Sequence, residues 1–559
     1  MEFSTPEKML AWPLFGTGME KLGTNNEACV VDVPTIGDDE LLVKIDAIGL
    51  CFSDIKLIRA GEDHPRVISE DLEKDPVIPG HEAVMTVVKV GNKVEDKFKP
   101  GQRYIIQADI YVNGKGFAYG YAIDGGMAQY SKIDQRVLNG DEGCYLLPLQ
   151  DATPSALAAL IEPWTCVIAS YMIENRSTPK DNGKVLIVME DEQSAFTVGN
   201  LLKEHPPKSI TCVNCNEKAI YELEKELPVS SLNEQDALPE KAEFDDIFII
   251  NVKDRQLAEK AAKLGTKNAV ISFIGDYPEE AWSFDIGNIH YEGWYYQGTK
   301  TNNLSEAYGR NLRSTLKENG CCWLPGGAGA MGQMHTQLAI TSENGPKKIL
   351  VSDLDNSRLE NVKNLLKDDI EKRGIEFKTL NPTEFASPEE FYSEVKAFCG
   401  DEGFDDIVML VPVIPVLNDA APFLKTDGLM NIFAGIPAGK EGVLNINGIV
   451  ENGMRYIGSS GSLTSHLRYT LGMVESGKLE PSTALAAIGG MKDLKKGLEA
   501  VANAKFPGKT VIFPNCEDMP LTPFAEISSL DEKISKALKN GSAAYNLDVE
   551  KILFDKYGK

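Results

Sequence analysis

Five side chains in the first third of the chain are suited to metal and proton chemistry. Cys51 and Ser53 stand in Gly49-Leu50-Cys51-Phe52-Ser53-Asp54, directly after a strand-like run. His81 and Glu82 stand in Pro79-Gly80-His81-Glu82-Ala83, directly before another. A thiolate and an imidazole are good zinc ligands, and a neighbouring carboxylate completes or tunes such a set. Glu162, in the helix-like "AALIEPWTCVIASY", is a further candidate ligand. Taken singly, each has a plain reading: a small buried thiol, a hydrogen-bonded histidine, a charge on a helix face. Zinc with an open position polarises a carbonyl or lowers the pKa of a bound alcohol. The Ser53 hydroxyl, two residues from the thiol, is placed to carry the proton outward.

A second constellation suits a dinucleotide. The apolar run Cys321-Cys322-Trp323-Leu324 leads into Gly326-Gly327-Ala328-Gly329-Ala330-Met331-Gly332. A helix-like segment follows, then Lys348 to Ser352, ending on Asp353. This is the strand, turn, helix, strand, acid order of a nucleotide-binding βαβ unit. In that reading Gly327 allows the tight turn, Gly329 lets the backbone approach a pyrophosphate, and Gly332 lets the helix pack on the strand. The helix opening through Ala330 and Met331 presents free N–H groups and a positive dipole end to phosphates. Asp353, 21 residues beyond Gly332, accepts from a ribose diol and repels a 2′-phosphate, favouring NAD over NADP. Arg358 is expected to pack over the adenine side. Val411, Pro412, Ala434 and Gly435, at the ends of later strand-like runs, are expected near the nicotinamide.

The elements that must position these groups follow from pattern. In the front, Glu40 to Leu50, Ala83 to Gly91 and Gln102 to Ile110 read as short strands split by Gly, Pro and Asp turns, hence a mostly β domain. The polar stretch from Glu174 to Gly183 reads as a linker. Beyond it the chain repeats: "FDDIFII" begins at Phe244 and "FDDIVML" at Phe404. The same offset pairs Phe273 with Phe433, Gly275 with Gly435, Tyr296 with Tyr456 and Gly298 with Gly458. The front halves align as "KVLIVMEDEQ" against "GCCWLPGGAG", so that Glu190 and Asp191 fall in the region of Gly326 and Gly327, and Gln193 near Gly329. Asn214 stands where Asp353 stands. Carboxylates and larger side chains there repel a pyrophosphate and block backbone approach. We read a duplicated Rossmann-like domain whose first copy has lost its nucleotide and serves structure. The Cys212–Cys215 pair lacks a second pair, so no metal or redox role is assigned to it.

Composition narrows the classes. A length of 559 residues suggests about three domains. A net charge of −26 argues against nucleic acid or an anionic membrane as partner. No apolar run approaches the ~20 residues of a membrane span, and the N-terminus shows no secretory pattern. Ten scattered cysteines suit reduced thiols in a cytoplasm.

"GLCFSD", "PGHEA", "GGMAQY" at Gly125 and "IEPWTC" at Ile161 together resemble the zinc-dependent medium-chain alcohol and polyol dehydrogenases. The resemblance extends over the cofactor stretch and over about 460 to 514, ending in "GKTVIFP". It implies zinc held by Cys51 and His81, with Glu82 a ligand in the polyol branch and Glu162 a ligand exchanging with water. Ser53 then relays the substrate proton. The stretch after "PGHE" lacks the four cysteines of the structural zinc lobe found in many relatives, so one catalytic zinc and no structural zinc is expected. The insert "RAGEDHPRVISEDLEKD" is expected to shape the substrate entrance, with His64 a solvated loop residue. The missing lobe, "GGAGAMG" and "GKTVIFP" look most like the L-sorbose-1-phosphate reductase branch.

The expectation is an α/β chain in five parts. Residues 1–178 form a GroES-like catalytic domain, 179–318 a degenerate Rossmann-like copy, and 319–460 the NAD-binding copy. Residues 461–516 complete the catalytic domain, and 517–559 form a helical extension. The activity implied is hydride transfer between NAD(H) and a secondary alcohol or ketone, with a polyol, ketose or sugar phosphate as small-molecule partner, in a homo-oligomer. The alternatives are a dehydrogenase of an unphosphorylated alcohol or amino alcohol, and a non-catalytic dinucleotide-binding sensor or scaffold. The metal-type residues speak against the second.

Overall fold

The strand Leu41–Leu50 is buried along nearly its whole length, because it is the hub of a sheet built from both ends of the chain. The computed structural model describes residues 5–190, 194–225, 227, 232–309, 312–538 and 545–558. It divides into two units, Met1–Ala169 with Gly461–Lys559, and Ser170–Ser460.

The first unit holds an eight-stranded sheet. Its order is Thr522–Pro523, Leu485–Gly490, Lys509–Phe513, Leu41–Leu50, Glu82–Val90, Arg103–Ile106 and Leu146–Leu149, with Tyr130–Ile133 also on Leu41–Leu50. Register shifts at Leu42/Val43 and Ile45/Ala47 bend the hub strand. Lys509–Phe513 pairs with it through Thr510↔Leu50, Val511↔Gly49 and Ile512↔Ile48. The core mixes Trp12, Ile45, Ile48 and Met85 with Leu494, Leu498 and Ile512. The C-terminal stretch is short helical turns and the helix Leu547–Tyr557. From that helix the buried Glu550 carboxylate accepts from the N–H groups of Ser155 (2.7 Å) and Ala156 (3.0 Å). Those are the orphan donors that open the helix Ser155–Ala159, which runs into Ile161–Ala169, the helix of Glu162.

The second unit contains two six-stranded parallel sheets of identical order. One runs Leu232–Gln235, Ser209–Val213, Lys184–Met189, Phe244–Ile250, Gly265–Ile274, Tyr295–Thr299. The other runs Glu376–Leu380, Lys348–Ser352, Cys321–Pro325, Phe404–Met409, Leu424–Ile432, Arg455–Ile457. Each has the 3-2-1-4-5-6 order of a dinucleotide fold. Both copies use the same internal braces. Arg176 donates to Asp246 at 2.9 Å as Arg313 donates to Asp406 at 2.5 Å. Lys184 N–H donates to Asp245 Oδ2 as Cys321 N–H donates to Asp405 Oδ2.

These braces correct the alignment of the front halves by one residue. Lys184 corresponds to Cys321, not Gly320, so Glu190 stands where Gly327 does. Asp191 and Gln193 lie outside the described residues. Glu190 turns its carboxylate onto the N–H groups of Lys253 (2.6 Å) and Asp254 (2.7 Å), the entrance to the helix Arg255–Ala262. The helix after this strand is only Leu201–Glu204, against Ala330–Thr341 in the second copy. The sequence of the first copy thus lacks the glycine turn, and among the described residues no helix corresponds to the full length of Ala330–Thr341.

The copies join through the antiparallel pair Trp282–Asp285 and Glu441–Leu444. They share a core that includes Phe273, Phe284, Ile289 and Tyr296 from one and Ile432, Ile446, Ile449 and Tyr456 from the other.

Candidate active site

Cys51 ends the hub strand and occupies the N-cap position of the helix Phe52–Ala60. His81 and Glu82 begin the neighbouring strand, where Gly49 faces Glu82 across the ladder. Two motifs well separated in sequence therefore meet at one end of one strand pair. A Cys51 sulfur, a His81 nitrogen and a Glu82 carboxylate oxygen all lie within 4.8 Å of one another. Both His81 and Glu82 are buried and Cys51 is partly so.

Two residues not singled out in the sequence hold this group. Asp54, fully buried, accepts from Cys51 N–H at 2.9 Å through Oδ2 and faces His81 Nδ1 at 3.0 Å through Oδ1. Nδ1–H donating to Asp54 leaves Nε2 as the lone-pair nitrogen. Burial opposes protonation of His81, but the Asp54 carboxylate outweighs it and raises the imidazole pKa well above its ordinary value. Lys509, also buried, donates to Glu82 Oε1 at 2.5 Å. Burial works against its charge, and Glu82 carries the pKa upward. The other Glu82 oxygen, Oε2, is buried and has no hydrogen-bond partner. Gly49 makes room for it, since a Cβ there would overlap Oε2. The signal for Lys509 was present in "GKTVIFP", and for Asp54 in "CFSD". Neither could be tied to His81 or Glu82 without the strand register.

Glu162 stands beside this group rather than within its closest set. Burial pushes its carboxyl up to about 7, with His81 lowering and Glu82 raising it. One turn on, the Cys166 thiol lies 3.7 Å from its Oε1. Ser53 is half-buried in the first turn of its helix. His64 is not the solvated residue its charged surroundings suggested. Its ring packs 5.1 Å from that of Tyr121, which lies 5.8 Å from His81. Burial, helped by Arg66 and Lys56, lowers its pKa to about 4.

In the second unit the glycine turn distributes its roles differently from expectation. The left-handed residue is Gly326, φ 81°, not Gly327. A Cβ on Gly327 would press on Leu324 and Val351, and one on Gly332 would overlap Gly326 O. At Gly329 a Cβ would meet nothing closer than 3.6 Å, so the chain's own packing does not require glycine there. Gly329 is the N-cap of Ala330–Thr341 and offers no side-chain cap. Ala330 and Met331 are half-exposed at this helix start. Asp353 follows the next strand; burial raises its pKa, while the backbone N–H groups of Asp355 and Ala328 and the charge of Arg358 pull the other way. The Arg358 Nε lies 3.9 Å from Asp355. Val411 crowds Gly326, and Ala434, whose N–H donates to Met409 O, is buried at the end of the neighbouring strand. Among the described residues no helix is long and apolar enough to cross a membrane.

The alcohol dehydrogenase GroES-like domain family matches residues 37–139. The chain is 24% identical over 537 residues to mannitol-1-phosphate 5-dehydrogenase of Aliivibrio fischeri, across 94% of each chain. It is 27% identical over 302 residues to L-sorbose 1-phosphate reductase of Klebsiella pneumoniae, covering 49% of this chain and 72% of that one. An alcohol dehydrogenase structure from Thermotoga maritima aligns over 91% of this chain and 99% of its own at 14% identity, TM-score 0.51, and so shares the fold. The chain thus carries an alcohol dehydrogenase GroES-like domain, is similar over most of its length to a mannitol-1-phosphate 5-dehydrogenase, and shares the fold of a solved alcohol dehydrogenase.

Proposed function

We propose that the chain is a zinc-dependent, NAD(H)-linked dehydrogenase that interconverts a secondary alcohol and a ketone on a polyol, sugar or sugar phosphate. The observation that carries this is the Cys51, His81 and Glu82 group with its orphaned Glu82 Oε2. A thiol, an imidazole whose Nδ1 is taken by Asp54 and a desolvated carboxylate oxygen form a donor set that suits zinc. Bound there with an open position, zinc would supply Lewis-acid polarisation of a carbonyl or alkoxide oxygen. Asp54 sets the imidazole tautomer, and Lys509 holds Glu82 in place through a charge-assisted hydrogen bond to Oε1 while neutralising part of the site's negative charge. Glu162, close to neutral pH in its titration, stands ready as an additional ligand or proton carrier. Ser53 shuttles the substrate proton toward solvent. In the second unit Gly329 leaves the backbone open to a pyrophosphate, the helix beginning at Ala330 orients it, and Asp353 takes the ribose diol. A nicotinamide bound there would supply or accept the hydride.

The test is metal analysis with a coupled cofactor assay. About one zinc per chain is expected, with NADH oxidised by ketoses or ketose phosphates. Cys51→Ser should remove turnover while leaving NADH binding, and Asp353→Ala should weaken NAD more than NADP. Metal-free protein with full turnover would exclude the mechanism, and equal losses for the two cofactors would remove the ribose assignment.

A further inference from the structure

The charged insert that follows the first site helix brings a cation to the metal-type cluster. Arg66 lies with its guanidinium 5.6 Å from the centre of the Tyr121 ring. The same ring is 5.8 Å from His81. One aromatic ring therefore packs near both the guanidinium and the imidazole. Tyr121 is buried, so this is a fixed platform, whereas the Arg66 side chain is 43% exposed and reachable. Asp109 anchors it through one nitrogen, Nη1, at 2.6 Å. The remaining guanidinium donors have no hydrogen-bond partner among the described residues. An arginine stacked on an aromatic face and tethered at one end is pre-organised to present its free fork to an oxyanion.

A second donor stands beside it. The backbone N–H of Arg66 donates to His64 Nδ1 at 3.3 Å. That bond places the proton of the neutral ring on Nε2. His64 packs on the same Tyr121 ring, and the charges of Arg66 and Lys56 help hold it neutral. Two basic residues, Arg66 and His64, thus pack on one buried tyrosine in a chain whose net charge is −26. Nothing in the proton relay or in ligation uses them.

We propose that Arg66, with His64, binds the phosphomonoester of a phosphorylated polyol or ketose whose secondary alcohol or carbonyl reacts at the cluster of Cys51, His81 and Glu82. This rests on the dehydrogenase reading above and narrows its substrate class to sugar phosphates. Arg66 is assigned to binding and specificity, not to the chemical step. Asp109 keeps the guanidinium in place, and its carboxylate repels an incoming anion, so binding depends on the guanidinium donors that Asp109 leaves open.

The test compares phosphorylated and free substrates on the purified full-length protein. Mannitol 1-phosphate is paired with mannitol, and sorbose 1-phosphate with sorbose, in wild type, Arg66→Ala and Arg66→Lys. Loss of a charge-assisted fork predicts a fall of about 10- to 100-fold in kcat/KM for the phosphates in Arg66→Ala. The fall should sit in KM, kcat/KM for the free polyol should change little, and Arg66→Lys should recover part of it. Binding of inorganic phosphate, read by calorimetry, should be present in wild type and lost in Arg66→Ala, with the variant's thermal unfolding confirming its fold. Equal losses on phosphorylated and free substrates, or unchanged phosphate binding, would overturn the assignment. Absence of turnover on every alcohol and ketone would instead refute the dehydrogenase reading, and the phosphate calorimetry would still decide the role of Arg66.

Discussion

Replacing Asp54 by Asn tests whether the cluster is built for a metal. The two side chains have the same shape, so the site helix and its packing should survive. They differ in acceptors. Asp54 offers two oxygens, one to Cys51 N–H at 2.9 Å and one to His81 Nδ1 at 3.0 Å. Asn offers one oxygen and a donating NH2. If the oxygen stays on Cys51 N–H, the amide faces Nδ1–H donor to donor. The imidazole relieves that clash by moving its proton to Nε2, the nitrogen needed for ligation. If the amide flips, Cys51 N–H is left buried without a partner, which costs about 1–3 kcal/mol. Either outcome disturbs a ligand. Loss of a carboxylate behind a ligating histidine typically costs 10- to 100-fold in metal affinity, about 1.4–2.8 kcal/mol. Chelator competition on the apo protein reads this directly, with thermal unfolding as the control for folding. Zinc affinity unchanged in Asp54→Asn would refute the orientation argument, and with it the assignment of Nε2 as the metal-facing atom.

Other residues give independent tests. Gly49→Ala should push Glu82 Oε2 aside and lower bound zinc per chain with the fold kept, so full metal content by atomic absorption would count against the Glu82 assignment. Glu550→Ala removes the carboxylate that opens the helix Ser155–Ala159 and should cost about 2–3 kcal/mol; an unaltered melting temperature would show that the C-terminal helix does not brace the front domain. His335 is fully buried, faces the Tyr171 hydroxyl at 2.7 Å through Nδ1, and has its Nε2 unpartnered. Burial lowers its pKa to about 3. The unfolded chain then takes up this proton first, so the stability contribution is complete above about pH 6.5 and declines as pH falls toward 3, by about 2 kcal/mol at pH 5. Denaturant unfolding of wild type and His335→Gln should diverge by that amount between pH 7 and 5, and parallel curves would reject it.

What the sequence reveals and what it hides divides along physical lines. Glycine turns, parallel-strand runs and the internal repeat are local or periodic, and they made the parallel sheets and the duplicated fold legible. Interactions that depend on register were not legible. Lys509 meets Glu82 only because Lys509–Phe513 pairs with the hub strand on the side opposite Glu82–Val90. His64 reads as a solvated loop residue because nothing in "GEDHPRV" announces that Tyr121, far along the chain, packs against it and Arg66. The first strands of the two copies misalign by one residue in the sequence where the copies differ most. There Glu190 has replaced a glycine, and the pattern that would have fixed the register is gone.

The pairing of the two copies explains which half of the first was retained. At the offset that pairs Phe244 with Phe404, Trp282 corresponds to Gly442 and Phe284 to Leu444. In the ladder Trp282 pairs with Leu444 and Phe284 with Gly442, so each pair maps onto the other when the copies are exchanged. That is the signature of an isologous contact, here between two parts of one chain rather than two subunits. The contact lies in the half that aligns without a gap, residues 244–298 against 404–458, and it buries Phe284, Tyr296 and Tyr456 in a common core. Large aromatic side chains in such a core cost about 3–5 kcal/mol each to truncate, so this half is constrained by the partner copy it packs on. In the front half of the first copy, Leu186 and Val188 of the first strand still lie in this shared core, but beyond the strand Phe196, Val198 and Leu202 pack in a cluster that is largely the first copy's own. There the glycine turn can be exchanged for Glu190 and the long helix shortened without loss to the interface. The first copy thus serves as a built-in packing partner for the second, complete where it is touched and changed at Glu190, where the second copy has Gly327.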